Sequence, residues 1–340
     1  MPQREQRSGR KETVNSTREP RNLLCGRTQL FAMDGPPRYA GLANPSEHNC
    51  FLNVVVQSLW HVKSFRDLLQ ETHAPALTRA AESESVRTDA VFNALLGLFI
   101  EFRWSDEDVL PPEKLRKALA SISAEEFNVG EMADATEALE CVLRAMPPSL
   151  QNLFECERCD VRRCNSCSAD SNPVPSTERV YRAYLNDFRD TVGGAAPINL
   201  SAALRSFINL NSDERSCPGE VECGGKGTTL KRHCLKLPVV FALQLVWPQA
   251  PTKAQKVLGM RIATENSEGL DVASIFESTA RTPRSEGASA SALGAGARAS
   301  SAASAAAHAS ATSSPHFRFR GMICYYGRHY VAFFRTCTGA

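Results

Sequence analysis

A strong net charge is missing from this sequence: 39 Lys and Arg stand against 37 Asp and Glu, a formal +2 over 340 residues. The long-range field is therefore weak, and a dedicated nucleic-acid binder is not expected. Long apolar runs are missing too. The longest, Val239 to Trp247, is about half of what a bilayer span needs, so no transmembrane helix and no membrane association are expected. No hydrophobic signal segment and no internal repeat are visible, which points to a reducing compartment and to cytoplasmic or nuclear residence. What the chain does have is cysteine, twelve in all. In a reducing compartment, clustered thiols bind metal or do chemistry more often than they form disulfides.

The length predicts two units or one large, elaborated domain. Residues 1–38 form a basic arm: up to residue 40 there are eight cationic residues against four acidic ones and little apolar periodicity, the composition of a disordered segment. Its three glutamates argue against an organelle transit peptide. A second biased stretch, about 282–315, is mostly Ala, Ser and Gly and reads as a flexible insertion. Ordered-looking sequence resumes after it, so it lies within a domain spanning 39–338. Between these stretches the pattern changes once. Leu52, Val55, Val56 and Leu59 repeat at helical spacing, as do Val91, Leu95, Leu96, Leu98 and Phe99. From about residue 175, strand-like runs such as Val239 to Trp247 and Met322 to Tyr326 dominate. An α+β architecture follows, a helical half preceding a sheet half.

Three groups of residues suggest chemistry. A Gly/Asn/Pro/Ser loop from Gly41 runs into the helical pattern at Cys50, where the unpaired N–H groups of a first turn favour an anion; thiolate is the nucleophilic form. The bland alternative is a small buried hydrophobe. His329 is the candidate base: two aromatic-rich runs flank Gly327-Arg328, the pattern of a hairpin whose strand could aim an imidazole. It could equally be a packed histidine. His48 is nearer in sequence, yet a loop residue two positions before the thiol is rarely aimed back at it. The third group is metal-like. Cys164 and Cys167, with Cys217 and Cys223 about fifty residues on, suit a closed tetrahedral zinc site, while Cys156 and Cys159 compete on spacing; reduced surface thiols are the alternative.

Together these residues resemble the ubiquitin-specific proteases, papain-like cysteine hydrolases. Gly41, Leu42 and Asn44 with Cys50, Phe51, Leu52, Asn53 and Gln57 are similar to the family's cysteine box. Asp134 to Glu137 with Leu139 and Leu143 look like its acidic helix motif, and Gly327, His329, Tyr330 and Ala332 like its histidine box. The match spans about residues 39–336 in the right order and is most similar to a divergent branch with plant members and with animal members regarded as inactive. Asn44 sits six rather than the usual five residues before Cys50. Arg328 stands where glycine is usual, and Met132 and Ala133 replace two glutamines.

The resemblance implies a papain-like fold with helical thumb, β-rich palm and zinc-binding fingers at about 153–235, C-terminally incomplete because no third catalytic Asp or Asn follows His329. It implies a deubiquitinase in which Cys50 attacks the carbonyl at the C-terminus of ubiquitin, His329 serves as base and acid, and Asn44 holds the oxyanion. Asp134, Glu137, Gln57 and Tyr330 would contact the ubiquitin tail; a solvated acidic face is the plain reading of the two carboxylates. One structural zinc on Cys164, Cys167, Cys217 and Cys223, ubiquitin and ubiquitinated proteins as partners, and a monomeric chain complete the expectation. The alternatives are an inactive ubiquitin-binding pseudoprotease and a zinc-stabilised scaffold.

Overall fold

Strand β1 (Gly41–Leu42) pairs in parallel with β2 (Val109–Leu110). The structure is a computed structural model that describes residues 40–45, 47–73, 87–184, 198–210, 213–219, 223–247, 251–266, 268–277 and 316–335. The basic arm and the Ala/Ser/Gly insertion lie outside these residues. Behind β1 comes α1 (Cys50–His61), followed by α2 (Lys63–His73), α3 (Arg87–Trp104), α4 (Glu113–Ile122), α5 (Ala135–Arg144) and the short α6 (Pro148–Gln151). The apolar positions predicted on α1 and α3 are all buried. Helix α1 goes further and buries Phe51, Val54 and Trp60 as well. Trp60 sits edge-on to Phe99 at 5.2 Å and stacks on Phe102 at 5.0 Å, contacts that add to the burial of area. Polar residues on α1 tie it to the incoming loop: Gln57 Nε2 donates to the Ala40 carbonyl at 2.9 Å, and Asn53 Nδ2 to those of Leu42 and Ala43 at 3.2 and 3.3 Å.

The second half is more mixed than its sequence predicts. Strands β3 (Cys156–Cys164), β4 (Val174–Glu178), β6 (Asp213–Ser216) and β7 (Lys226–Lys236) form one antiparallel sheet in the order β4-β3-β7-β6, whereas β5 (Tyr181–Tyr184) pairs in parallel with β8 (Leu243–Val246). Two helices interrupt the strands, α7 (Leu200–Leu210) and α8 (Lys253–Glu265). The second begins at a capping box in which Thr252 and Gln255 exchange side-chain bonds with each other's N–H groups, a local signal strong enough to start a helix inside a β-rich region. The Val239 to Trp247 run is a strand only at its end. The Val239 and Val240 N–H groups donate instead to the Leu153 carbonyl at 2.9 and 2.8 Å, which pins the run to the helical half. A second core, including Tyr181, Leu204, Ile262, Ile275 and Phe276, fills this part.

Strand β9 (Leu270–Asp271) pairs with β10 (His316–Phe317), His316 opposite Asp271. The Ala/Ser/Gly stretch thus connects two sides of one ladder. Replacing residues 282–315 with a short Gly/Ser bridge is expected to change unfolding free energy by less than about 1 kcal/mol, since closure entropy varies slowly with length. Denaturant titration of both chains measures this, and failure of the shortened chain to fold would show that the stretch packs on the core. The last elements are β11 (Gly321–Tyr326) and β12 (His329–Phe334), an antiparallel hairpin packed on α1. Among the described residues, no helix is long and apolar enough to cross a membrane.

Candidate active site and metal centre

Cys50 is the first residue of α1. The Asn49 side chain makes no capping bond, so the helix start keeps N–H groups for another acceptor. Asn44 braces the preceding loop: its Oδ1 accepts from the Asn49 N–H at 2.8 Å, and its carbonyl accepts from the Glu47 N–H at 3.2 Å. With Oδ1 committed, Nδ2 is the end of this amide left to donate. The Cys50 side chain is 2% exposed, and its S–H donates to Met132 Sδ at 3.5 Å.

The hairpin delivers His329. Gly327 and Arg328 have φ of 58° and 67°, the paired left-handed conformation of a two-residue turn whose twist matches that of the strands. Gly327 adopts this conformation freely, whereas at Arg328 it strains the side chain. Tyr326 faces His329 across the ladder, so the histidine opens β12. Asn44, Cys50, Gln57, His329 and Tyr330 all line one cleft of about 470 Å³. His48 is exposed and does not line it.

Asp134 stands just before α5, and only Glu137 lies within the helix. Asp134 is the N-cap of α5: Oδ1 accepts from the Thr136 and Glu137 N–H groups at 2.7 and 3.1 Å, and Oδ2 accepts from the Tyr330 hydroxyl at 3.3 Å. Tyr330 Oη in turn accepts from the Ala135 N–H at 3.4 Å. Burial, and then the Asp134 carboxylate, push the Tyr330 phenol up to about 12, so it remains a donor at neutral pH. The pair thereby fastens the histidine strand to α5. Glu137 lies in the first turn of α5, its carboxyl raised by burial and then by Asp134. Neither carboxylate lines the cleft.

Two contacts beside the cleft were not legible in the sequence. One is Met132 over the thiol. The other is Arg116 of α4, 3% exposed, whose Nη2 donates to the Asn128 carbonyl and, at 2.7 Å, to that of Glu131. Lys114 and Lys117 flank it in sequence, and nothing there separates the buried cation from its neighbours.

The candidate metal centre, a cluster of four cysteines, forms at the far end of the four-stranded sheet. Cys164 ends β3, Cys167 lies in the turn after it, Cys217 follows β6 and Cys223 precedes β7. Pairing of β3 with β7, and of β7 with β6, brings these ends together. All four sulfurs lie within 4.8 Å of one another, with Cys164 to Cys223 at 3.7 Å and Cys167 to Cys217 at 3.5 Å. Zinc–sulfur bonds of about 2.3 Å give tetrahedral S···S edges of about 3.8 Å, so the set fits a zinc ion. The N–H groups of Cys167 and Ser166 hold the Cys164 thiol down to about 6, and those of Cys223 and Gly219 lower Cys217. Gly225 completes the knuckle: a Cβ there would stand 2.5 Å from Ser166 Cβ. The competing pair is split. Cys156 is buried in the second core with its thiol bonded to Cys234, a contact that together with burial raises its pKa, and Cys159 is not part of the cluster.

The profile of the family described as ubiquitin carboxyl-terminal hydrolase matches residues 40–338. Ubiquitin carboxyl-terminal hydrolase 54 of Mus musculus is 26% identical over 322 residues, covering 86% of this chain and 17% of that protein. Ubiquitin carboxyl-terminal hydrolase 53 of Homo sapiens is 28% identical over 250 residues, 66% of this chain and 22% of that protein. The chain thus spans about a fifth of the length of these relatives. Its mixed helices and sheets fit the papain-like architecture, and the matched stretch holds both walls of the cleft and the four-cysteine cluster. By this match over most of its length, the chain belongs to the ubiquitin carboxyl-terminal hydrolase family.

Proposed function

We propose that this chain is itself a cysteine-type deubiquitinase, acting on isopeptide or peptide bonds at the C-terminus of ubiquitin in ubiquitinated proteins. The observation that carries the reading is that a helix-start cysteine and a strand-start histidine wall one cleft. His329 takes the Cys50 proton, and the thiolate attacks the carbonyl carbon of the terminal glycine, forming a C–S bond. Asn44 Nδ2 and the N–H groups at the start of α1 hold the oxyanion. The C–N bond then breaks as His329 returns the proton to the leaving amine, and water hydrolyses the thioester to restore the thiol. Gln57 and Tyr330 border the ubiquitin tail where it lies in the cleft, and Asp134 and Glu137, which stand outside the cleft, offer carboxylates to arginines further along it.

Zinc is the ion we assign to Cys164, Cys167, Cys217 and Cys223. With four thiolates there is no open position, so it would hold the fingertip strands together and take no part in the reaction. Cleavage of isopeptide-linked ubiquitin dimers tests the proposal: turnover by the parent chain and none by Cys50→Ala is expected. The burial of Cys50 and its bond to Met132 favour one second reading, a ubiquitin binder without turnover. Ubiquitin binding by a parent chain that cleaves nothing would select it.

A further inference from the structure

A nucleophile that is to be activated must present its proton to its base and its sulfur to the substrate. In this structure Cys50 does neither. Its S–H is directed to Met132 Sδ, 3.5 Å away, and its side chain is 2% exposed although it borders an open cleft. Thioether sulfur is a weak acceptor, so this bond alone would not fix the geometry. The segment carrying Met132 is, however, built into the fold. Phe127 is fully buried and stacks on Phe51, the residue after the nucleophile, with centroids 6.4 Å apart. Gly130 turns the chain at φ 99°, and the Glu131 N–H closes the turn on the Asn128 carbonyl at 3.1 Å. The same carbonyl and that of Glu131 are held by the buried Arg116, whose guanidinium lies over the Phe51 ring at 4.8 Å. The residues that hold the turn thus pack directly behind Cys50. Met132 itself is 37% exposed at the end of this braced turn, so its side chain can swing away without disturbing the core.

We propose that Met132 is a gate on the nucleophile: in the resting chain its thioether covers Cys50 and keeps the thiol proton from His329, and the narrow C-terminal end of ubiquitin displaces it on entering the cleft. Arg116 is the positioning residue that aims the gate. The inference rests on the deubiquitinase reading for its substrate, but the gate is a property of the free chain and can be measured without ubiquitin.

Iodoacetamide alkylation, read peptide by peptide by mass spectrometry, compares the parent with Met132→Ala and Met132→Leu. Removing one weak bond and its cover should speed Cys50 labelling about three- to tenfold in Met132→Ala. Leucine, which covers but cannot accept, should give an intermediate rate, and Cys324, a half-buried thiol on β11, serves as the unchanged internal control. The same proteins are then exposed to ubiquitin carrying a C-terminal electrophile. Faster alkylation of both variants with no capture of ubiquitin by any of the three supports the gate and refutes the deubiquitinase reading. Unchanged alkylation in both variants, with ubiquitin captured by all three, overturns the gate and leaves that reading standing.

Discussion

Cys164→Ser is expected to abolish zinc binding, and Cys156→Ser to leave one zinc per chain. The four sulfurs of Cys164, Cys167, Cys217 and Cys223 already lie near the edges of a zinc tetrahedron, whereas Cys156 spends its thiol on Cys234 inside a separate core. The effect on stability should be large. The cluster joins β3, β6 and β7 only at their tips, and the apparent affinity of a structural zinc site, about 10–16 kcal/mol in small zinc-binding peptides, is largely folding free energy. Chelation should therefore loosen the strand ends near Cys164 and Cys223 long before it affects the helical core around Trp60. Metal analysis of the two variants, with hydrogen exchange before and after chelation, checks both parts. Retention of zinc by Cys164→Ser together with loss by Cys156→Ser would reassign the site.

His329→Ala should reduce turnover of a ubiquitin C-terminal amide by roughly 10²–10⁴-fold, the usual contribution of a positioned acid–base group. Ubiquitin affinity should change little, because the histidine sits at the exposed end of β12. His48→Ala is the matched control. That residue is closer to Cys50 in sequence but does not line the cleft, and its loss should leave turnover within about twofold, as for ordinary surface substitutions. Steady-state kinetics on both variants decides between them. Equal losses would mean that the loop histidine reaches the thiol after all.

The parts of this molecule that were legible in its sequence are those set by local pattern. Helix α1 begins where the turn-rich loop meets the first apolar periodicity, and the hairpin turn falls at Gly327-Arg328 because both residues there adopt positive φ. The cysteine pairs announced a metal cluster through spacing, but choosing between Cys156/Cys159 and Cys164/Cys167 required knowing which strand ends meet, and that depends on register between β3 and β7. Long-range contacts were similarly hidden. Asp134 caps α5 and binds Tyr330, 196 residues away. Arg116 looks like any cation on an amphipathic helix until the loop from Asn128 to Glu131 folds over it. The helices α7 and α8 are hidden in the sequence because their short apolar faces lie among strands, where tertiary burial outweighs the average character of the region.

In the proposed reaction Cys50 attacks the C-terminal carbonyl of ubiquitin, a step that covalent capture reads without turnover. Incubating the parent chain with ubiquitin that ends in a thiol-reactive electrophile, then mapping the adduct by mass spectrometry, should give one ubiquitin per chain attached at Cys50. The Cys50→Ala chain should give none, while Cys141, Cys234 and Cys324 stay unmodified. Capture at another cysteine, or ubiquitin that binds the parent chain without ever becoming attached to it, would show that Cys50 is not the nucleophile.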